Sequence, residues 1–560
     1  MLLTSTNPAL VTQRAAQRLP RIALLLFCAA YVLPGVFGRD PWKNADLIAF
    51  GYMHSIANGQ SGWLTPAVGG LAADAALLPY WFGASFIALL SPWIDASVAA
   101  RIPFALLLVV TLALTWYASF HLARTEAAQP LPFAFGGEAD PTDYARAIAD
   151  GALLALVATL GLLQLGHETT PELGQLAAVA LFLYGLAASP YRGWRPIVAV
   201  VVALPALAAS GAPSIAAALG ATGMLICARS GYGEVRRFTW TVGLATLLAV
   251  IVASTLGAWT WRATGVDWRP AALWLLVRQI GWFTWPAWPL ALWTLWRWRG
   301  HLQSRHISIP LVGVLVSTIA WITMGGFDRA LMLSLPALAV LAAFALPTLH
   351  RSTAAAIDWF SVFFFTSSAV VIWVVYASMQ TGVPAKPAAN IERLSPGYAH
   401  SFSVAALLLA AAGTLAWLWL VKWRTGRNRH PLWKSMVLPA SGVALCWLLA
   451  MTLLLPPLDH ARSYRALVAR IALQSPRDAC ISAVGLPRAL IVALEFLGQF
   501  RVDAVTPVAR TGCTLLLRPT DRRHAPQAIE GWALVAREQR SPNEDDAIAI
   551  YRRTTDRSAP

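Results

Sequence analysis

The stretch ARIPFALLLVVTLALTWYASFHLA, residues 100–123, carries 24 residues with a single charge at its start. A run of that length and polarity matches the hydrocarbon thickness of a bilayer, which takes roughly 20 helical residues to cross. Runs of this kind recur along the chain and place about thirteen spans, near 21–37, 101–123, 149–166, 172–189, 194–209, 212–228, 237–258, 281–297, 307–324, 329–346, 356–378, 402–422 and 434–455. In lipid, only a structure that satisfies its own backbone hydrogen bonds survives, so these segments are helices. The fold class is mainly α, a polytopic helical membrane protein. Leu77–Leu90 is apolar but shorter and contains Pro79, which suits a re-entrant or interfacial helix. The first stretch, 21–37, lacks a small-x-small exit site, so it reads as an anchor and not as a cleaved leader.

Charge fixes the orientation. The chain is 57% hydrophobic and 12% charged, with a formal net charge of +16. That surplus does not imply nucleic acid, because the basic residues sit in short clusters between apolar runs and form no continuous face. Arg14, Arg18 and Arg21, then Arg124 and Arg146, then Arg229, Arg236 and Arg237 fall on alternate loops, the side that the positive-inside rule makes cytoplasmic. An N-terminus inside and an odd number of spans put the C-terminus outside. The expected location is therefore a bacterial inner membrane, with residues 1–456 as the membrane domain, an outer loop at 38–100, and residues 457–560 as a small periplasmic α/β domain.

That last segment alternates helical and strand patterns. SYRALVARIAL and RALIVALEFLGQF have helical spacing, whereas ACISAVGL, CTLLLRP, WALVARE and AIAIYRR are strand-like. It holds no GxGxxG or P-loop fingerprint. Cys480 and Cys513 lie in it, where an oxidising compartment permits a disulfide, with two separate thiols as the alternative.

With this topology the loop GRDPWKNADLIAFGYMHSIANGQSGWLTP (38–66) and the turn LGHETTPELGQ (165–175) share the outer face. Asp40, Asp46 and Asp74 come from the first, and His167, Glu168 and Glu172 from the second. Acids at membrane depth are costly unless paired or wet, which makes these functional candidates. Such a cluster suits transfer of a group from a phosphate leaving group: a carboxylate accepts the proton of an acceptor hydroxyl while Lys43, Arg278 or Arg329 balances charge on the departing phosphate. NADLIAFGYMHSIANG, with Leu47, Ile48, Met53 and Ile56, has the pattern of an interfacial helix presenting Asp46. Plainer readings stand beside this one. Asp40 and Asp46 also suit the first turn of a helix. His167 and Glu168 also suit a membrane boundary, and lack a third ligand for a divalent metal, which leaves a metal possible but unsupported. Asp328 and Arg329 also make a local pair. The Trp-rich run WFTWPAWPLALWTLWRW suits a belt anchor.

The succession of an outward acidic helix, ANGQSGWLTP, GGLAADAALLPYW and the Arg-led span ARIPFALLLVVTLALTWYA resembles the N-terminal half of the type C glycosyltransferases of the aminoarabinose transferase and protein O-mannosyltransferase superfamily. DRALMLSLPALAVLAA (328–343) resembles their Arg-led, proline-containing late span. The resemblance implies transfer of a sugar from a polyprenyl-phosphate donor to a lipid, glycan or protein acceptor on the periplasmic face, as in lipopolysaccharide modification. It places the base at Asp46, supporting acids at Asp74 and at Glu172, with Glu168 as the alternate to Glu172, and the phosphate-side arginine at Arg329; Lys43 joins the carrier phosphate from the outer-face charge reading above. The family's acidic pair is Asn44-Ala45-Asp46 here, and its Glu-Lys-Pro motif is Asp74-Ala75-Ala76, which keeps the acid and loses the lysine. Two other functions remain open, a transporter or flippase of lipid-linked sugars and a catalytically inactive cell-envelope assembly protein.

Overall fold

The computed structural model describes residues 7–554 apart from 43, 75, 192, 260–262, 266, 426–430, 476–478, 522–524 and 540–545. Every expected span falls on a helix or on a broken pair of helices. Among the described residues seven helices are long and apolar enough to cross a membrane by themselves: Ala96–Ala123, Pro171–Ala188, Gly233–Thr255, Arg305–Thr323, Arg351–Thr381, Val404–Arg424 and Lys434–Leu453. Arg21–Val32, Trp194–Ala209 and Pro213–Ala228 are shorter apolar helices. The remaining spans are interrupted, as Pro141–Ala158 then Leu160–Leu165, Pro270–Phe283 then Ala287–Arg297, and Asp328–Met332 then Leu335–Ala345.

The breaks follow from local chemistry. Thr159 leaves the helical region with ψ 126°, its hydroxyl donating to the Leu156 carbonyl at 2.6 Å. The Leu160 amide freed by this break donates to the Trp285 carbonyl at 3.1 Å, inside the second interruption. Two broken helices thus satisfy each other's backbone, as irregular structure at membrane depth requires.

The outer loop folds as two helices, Ala45–Ala57 and Leu77–Leu90, joined through a short antiparallel hairpin at Ala67–Val68 and Leu71–Ala72. The expected interfacial position of the first helix is not what forms. Asp46, Leu47, Ala49, Phe50, Tyr52 and Met53 are all buried, because the helix is apolar nearly all round and must be covered on every side. Leu77–Leu90 covers one side and the helix Arg488–Phe496 of the C-terminal segment covers another. Gly51 permits the second contact, since a Cβ there would collide with the Val492 side chain. Phe50 meets Phe496 edge to face at 4.7 Å.

The C-terminal segment is a five-stranded mixed sheet. Its strands run in the order Arg501–Asp503, Cys480–Ser482, Leu515–Asp521, Asp546–Arg553, Trp532–Gln539. The first three pair in parallel and the last three antiparallel. Helices Arg465–Leu473 and Arg488–Phe496 take the two helical patterns read from the sequence. Cys480 and Cys513 are joined by a disulfide across 33 residues.

Candidate functional site, a buried ionic cluster at one end of the bundle

The two acidic segments meet. Asp46 opens the Ala45–Ala57 helix and is almost wholly buried, with 1% of its surface exposed. Its Oδ2 accepts from Arg39 Nη1 at 2.9 Å and from the Trp42 amide at 3.1 Å. Its Oδ1 accepts from the Thr169 amide at 2.7 Å and the Thr169 hydroxyl at 2.8 Å. Arg39 in turn donates to the Gly35 carbonyl at 2.7 Å and the His167 carbonyl at 2.7 Å. Burial alone would raise the Asp46 carboxyl, but Arg39, Arg101 and the Thr169 hydrogen bonds overcome it and hold the group below the usual carboxylate range. An acid so engaged is a poor proton acceptor until one of these partners lets go.

Glu168 has the opposite character. Burial, reinforced by the neighbouring Asp46 charge, pushes its carboxyl up, and the Arg329 ion pair with the Gln164 hydrogen bond at 3.0 Å offsets this only in part. Two acids of adjacent segments are therefore driven apart in proton affinity. Arg329 also lies 3.7 Å from Asp328, the local pair read from the sequence. Glu172, one turn on, starts the Pro171–Ala188 helix and lines a cavity of about 150 Å³ together with Gln175, Pro213, Thr323, Phe327 and Ala330. Of the three clustered acids, Glu172 is the one that lines this cavity.

Around this core the loop is tied to the segment that follows the last long helix. Asp40 pairs with Arg465 at 2.5 Å and accepts from the Ser463 hydroxyl at 2.6 Å, which outweigh its burial and lower its pKa. Asp459 accepts from the Asp40 amide at 2.9 Å and the Trp42 indole at 3.0 Å. Burial and the Asp40 charge push Asp459 up. The Trp42 ring lies within cation–π range of two guanidinium groups, Arg39 and Arg462, each 4.6 Å from its centroid.

The other predicted residues divide. His167 is held, with Nδ1 2.7 Å from the Leu163 carbonyl and Nε2 2.9 Å from the Tyr31 carbonyl, and its ring packed on Trp447. Burial lowers its pKa to about 4. Asp74 stands away from this network, exposed and 3.4 Å from Arg488 of the C-terminal segment. Arg278 is exposed on Pro270–Phe283. Lys43 lies outside the described residues. Among the described residues no group of three His, Cys, Asp or Glu side chains is disposed to hold a metal ion.

Sequence reading missed Arg39, Thr169, Arg101, Asp459 and Arg462. In the sequence Arg39 and Arg101 stand only as charges flanking apolar runs. Arg101 is 2% exposed, donates to the Val36 carbonyl at 3.2 Å, and its Nη2 has no partner among the described residues. Asp459 and Arg462, in PPLDHARSYR, adjoin the last span, and the rule applied to the loop acids would have selected Asp459.

No family model matches the sequence, and no curated protein matches it. Solved structures do. ArnT from Cupriavidus metallidurans in the apo state superposes with a TM-score of 0.59 at 13% identity, covering 95% of this chain and 96% of that one. ArnT of the same organism bound to undecaprenyl phosphate superposes with a TM-score of 0.56, at the same identity and coverage. At that identity the likeness speaks for the fold, and it extends to both the membrane bundle and the C-terminal sheet: over nearly its whole length this chain has the polytopic fold of ArnT, an aminoarabinose transferase of the type C glycosyltransferase class.

Proposed function

We propose that the chain is a multi-pass inner-membrane glycosyltransferase that moves a sugar from a polyprenyl-phosphate-linked donor to a lipid, glycan or protein acceptor on the periplasmic face. The observation that carries this reading is the shared fold with ArnT, one of whose structures holds undecaprenyl phosphate. The bond changes are those of an inverting displacement. An acceptor hydroxyl oxygen attacks the anomeric carbon, a carboxylate takes its proton, and the anomeric carbon–oxygen bond breaks to release polyprenyl phosphate. Glu172 is assigned as the proton acceptor because it borders the cavity, and Arg329, whose neighbour Ala330 lines the same cavity, balances the phosphate charge. Asp46 keeps a positioning role: it locks the first loop to the 167–170 turn. A geometry fixed in this way is what an in-line displacement needs.

The saturated hydrogen bonding of Asp46 also favours a second reading, an envelope assembly protein that retains the fold without catalysis. Reconstituted protein given radiolabelled polyprenyl-phosphate sugars and membrane lipid acceptors separates the two. The transferase reading expects label in the acceptor fraction, falling by about 100-fold or more in Glu172→Gln. Absence of transfer from a panel of hexose and pentose donors refutes it, and undiminished transfer in Glu172→Gln removes that residue from its role.

A further inference from the structure

At the opposite end of the bundle from the ionic cluster lies a second recess. It has a volume of about 410 Å³, within the range of small-molecule sites of roughly 300–1,000 Å³. Helix Arg21–Val32, the C-terminal half of Ala96–Ala123 and the middle of Pro141–Ala158 form its walls. The Arg21 helix begins here and leads, at its far end, to Arg39, so the two sites lie toward opposite membrane surfaces.

The recess has two unlike parts. Leu25, Val109, Leu112 and Ala113 give it an apolar wall, and Leu25 and Ala113 are exposed there. At its mouth stand Arg18, Arg21 and Arg146. Arg18 and Arg21 are exposed and have no ion pair among the described residues, while Arg146 pairs with Asp143, at 3.3 Å across one helical turn, in a half-buried contact. The one carboxylate in the recess, Asp150, is already engaged, accepting from the Leu19 amide at 2.9 Å and the Trp116 indole at 2.8 Å. The mouth therefore carries three guanidinium groups against two carboxylates, Asp143 and Asp150, each already engaged, which leaves a net positive charge.

We infer that this recess binds an anionic phospholipid of the leaflet on that side, its phosphate held by Arg18, Arg21 and Arg146 and an acyl chain laid along the apolar wall. The charge complementarity selects the occupant: phosphate oxygens match guanidinium donors, and the adjoining groove accepts hydrocarbon. The inference is independent of the proposed transfer reaction, since none of these residues belongs to the acid cluster.

The test is native mass spectrometry of the full chain released from nanodiscs of phosphatidylcholine with a minor share of phosphatidylglycerol. Each arginine near a bilayer surface strengthens anionic-lipid binding by roughly fivefold. Wild-type protein is expected to retain phosphatidylglycerol over phosphatidylcholine by more than roughly tenfold, and Arg18→Ala/Arg21→Ala to lower that ratio by roughly tenfold or more. Ala113→Trp, which fills the groove and leaves all three arginines in place, is expected to lose the retained lipid too, and it decides the question should the double variant fail to reconstitute. Equal retention of the two lipids by wild type, an unchanged ratio in the variants, or retention of a second copy of the chain in place of lipid overturns the inference.

Discussion

Asp46 and Glu172 show how much a side chain's surroundings decide about what it can do. Both were legible in the sequence as acids of the outer face, but a sequence carries no record of what a carboxylate touches, and Asp46 proves to be the anchor while Glu172 borders the cavity. Their substitutions should therefore fail differently. Asp46→Asn strands the buried Arg39 guanidinium and is expected to cost about 3–5 kcal/mol, read as a fall in melting temperature of the solubilised protein. Glu172→Gln is expected to act chiefly on turnover, with a smaller fall in that temperature than Asp46→Asn. His167 gives a pH signature. Its folded-state pKa, near 4 against an ordinary 6.5, means the unfolded chain binds the proton first, so its stabilisation is complete above pH 6.5 and drains away as the pH falls toward 4. The loss amounts to roughly 3 kcal/mol. Melting curves across that window should be steeper for wild type than for His167→Gln. Equal slopes would show that the histidine titrates in both states alike.

At the scale of elements the sequence was more generous. Long apolar runs located a helix or a broken pair of helices each time, and the alternation in residues 480–553 located four of the five strands, because hydrophobic period is a local property. The strand Arg501–Asp503 escaped, being three residues long and formed only by pairing with Cys480–Ser482. The position of the Ala45–Ala57 helix escaped for another reason: its second cover is a helix more than four hundred residues later, and apolarity all round does not say what lies on either side. That contact makes a prediction. Gly51→Leu should force Val492 aside and loosen the C-terminal sheet from the bundle, a cost of about 1–3 kcal/mol visible as faster proteolysis of residues 474–554. Adding Val492→Ala should restore part of the resistance. If Gly51→Leu alone changes nothing, the two helices do not pack as described.

For the whole molecule, the sheet acts as a cover on the outer loop, and the Cys480–Cys513 bridge stiffens that cover. Opening the bridge with Cys480→Ser is expected to destabilise the sheet by about 4 kcal/mol on loop-closure grounds, so the C-terminal segment should melt before the helices in a thermal scan. A single unchanged transition would argue that the disulfide adds nothing to its stability. The ion pair between Asp40 and Arg465 spans 425 residues of chain. A ribosome makes the aspartate first and its partner only after the last long helix, Lys434–Leu453, has been synthesised, so through most of synthesis the first loop waits half-built. A nascent chain stalled anywhere short of residue 465 would leave Asp40 without that partner and the first loop untied from the segment that follows the last long helix.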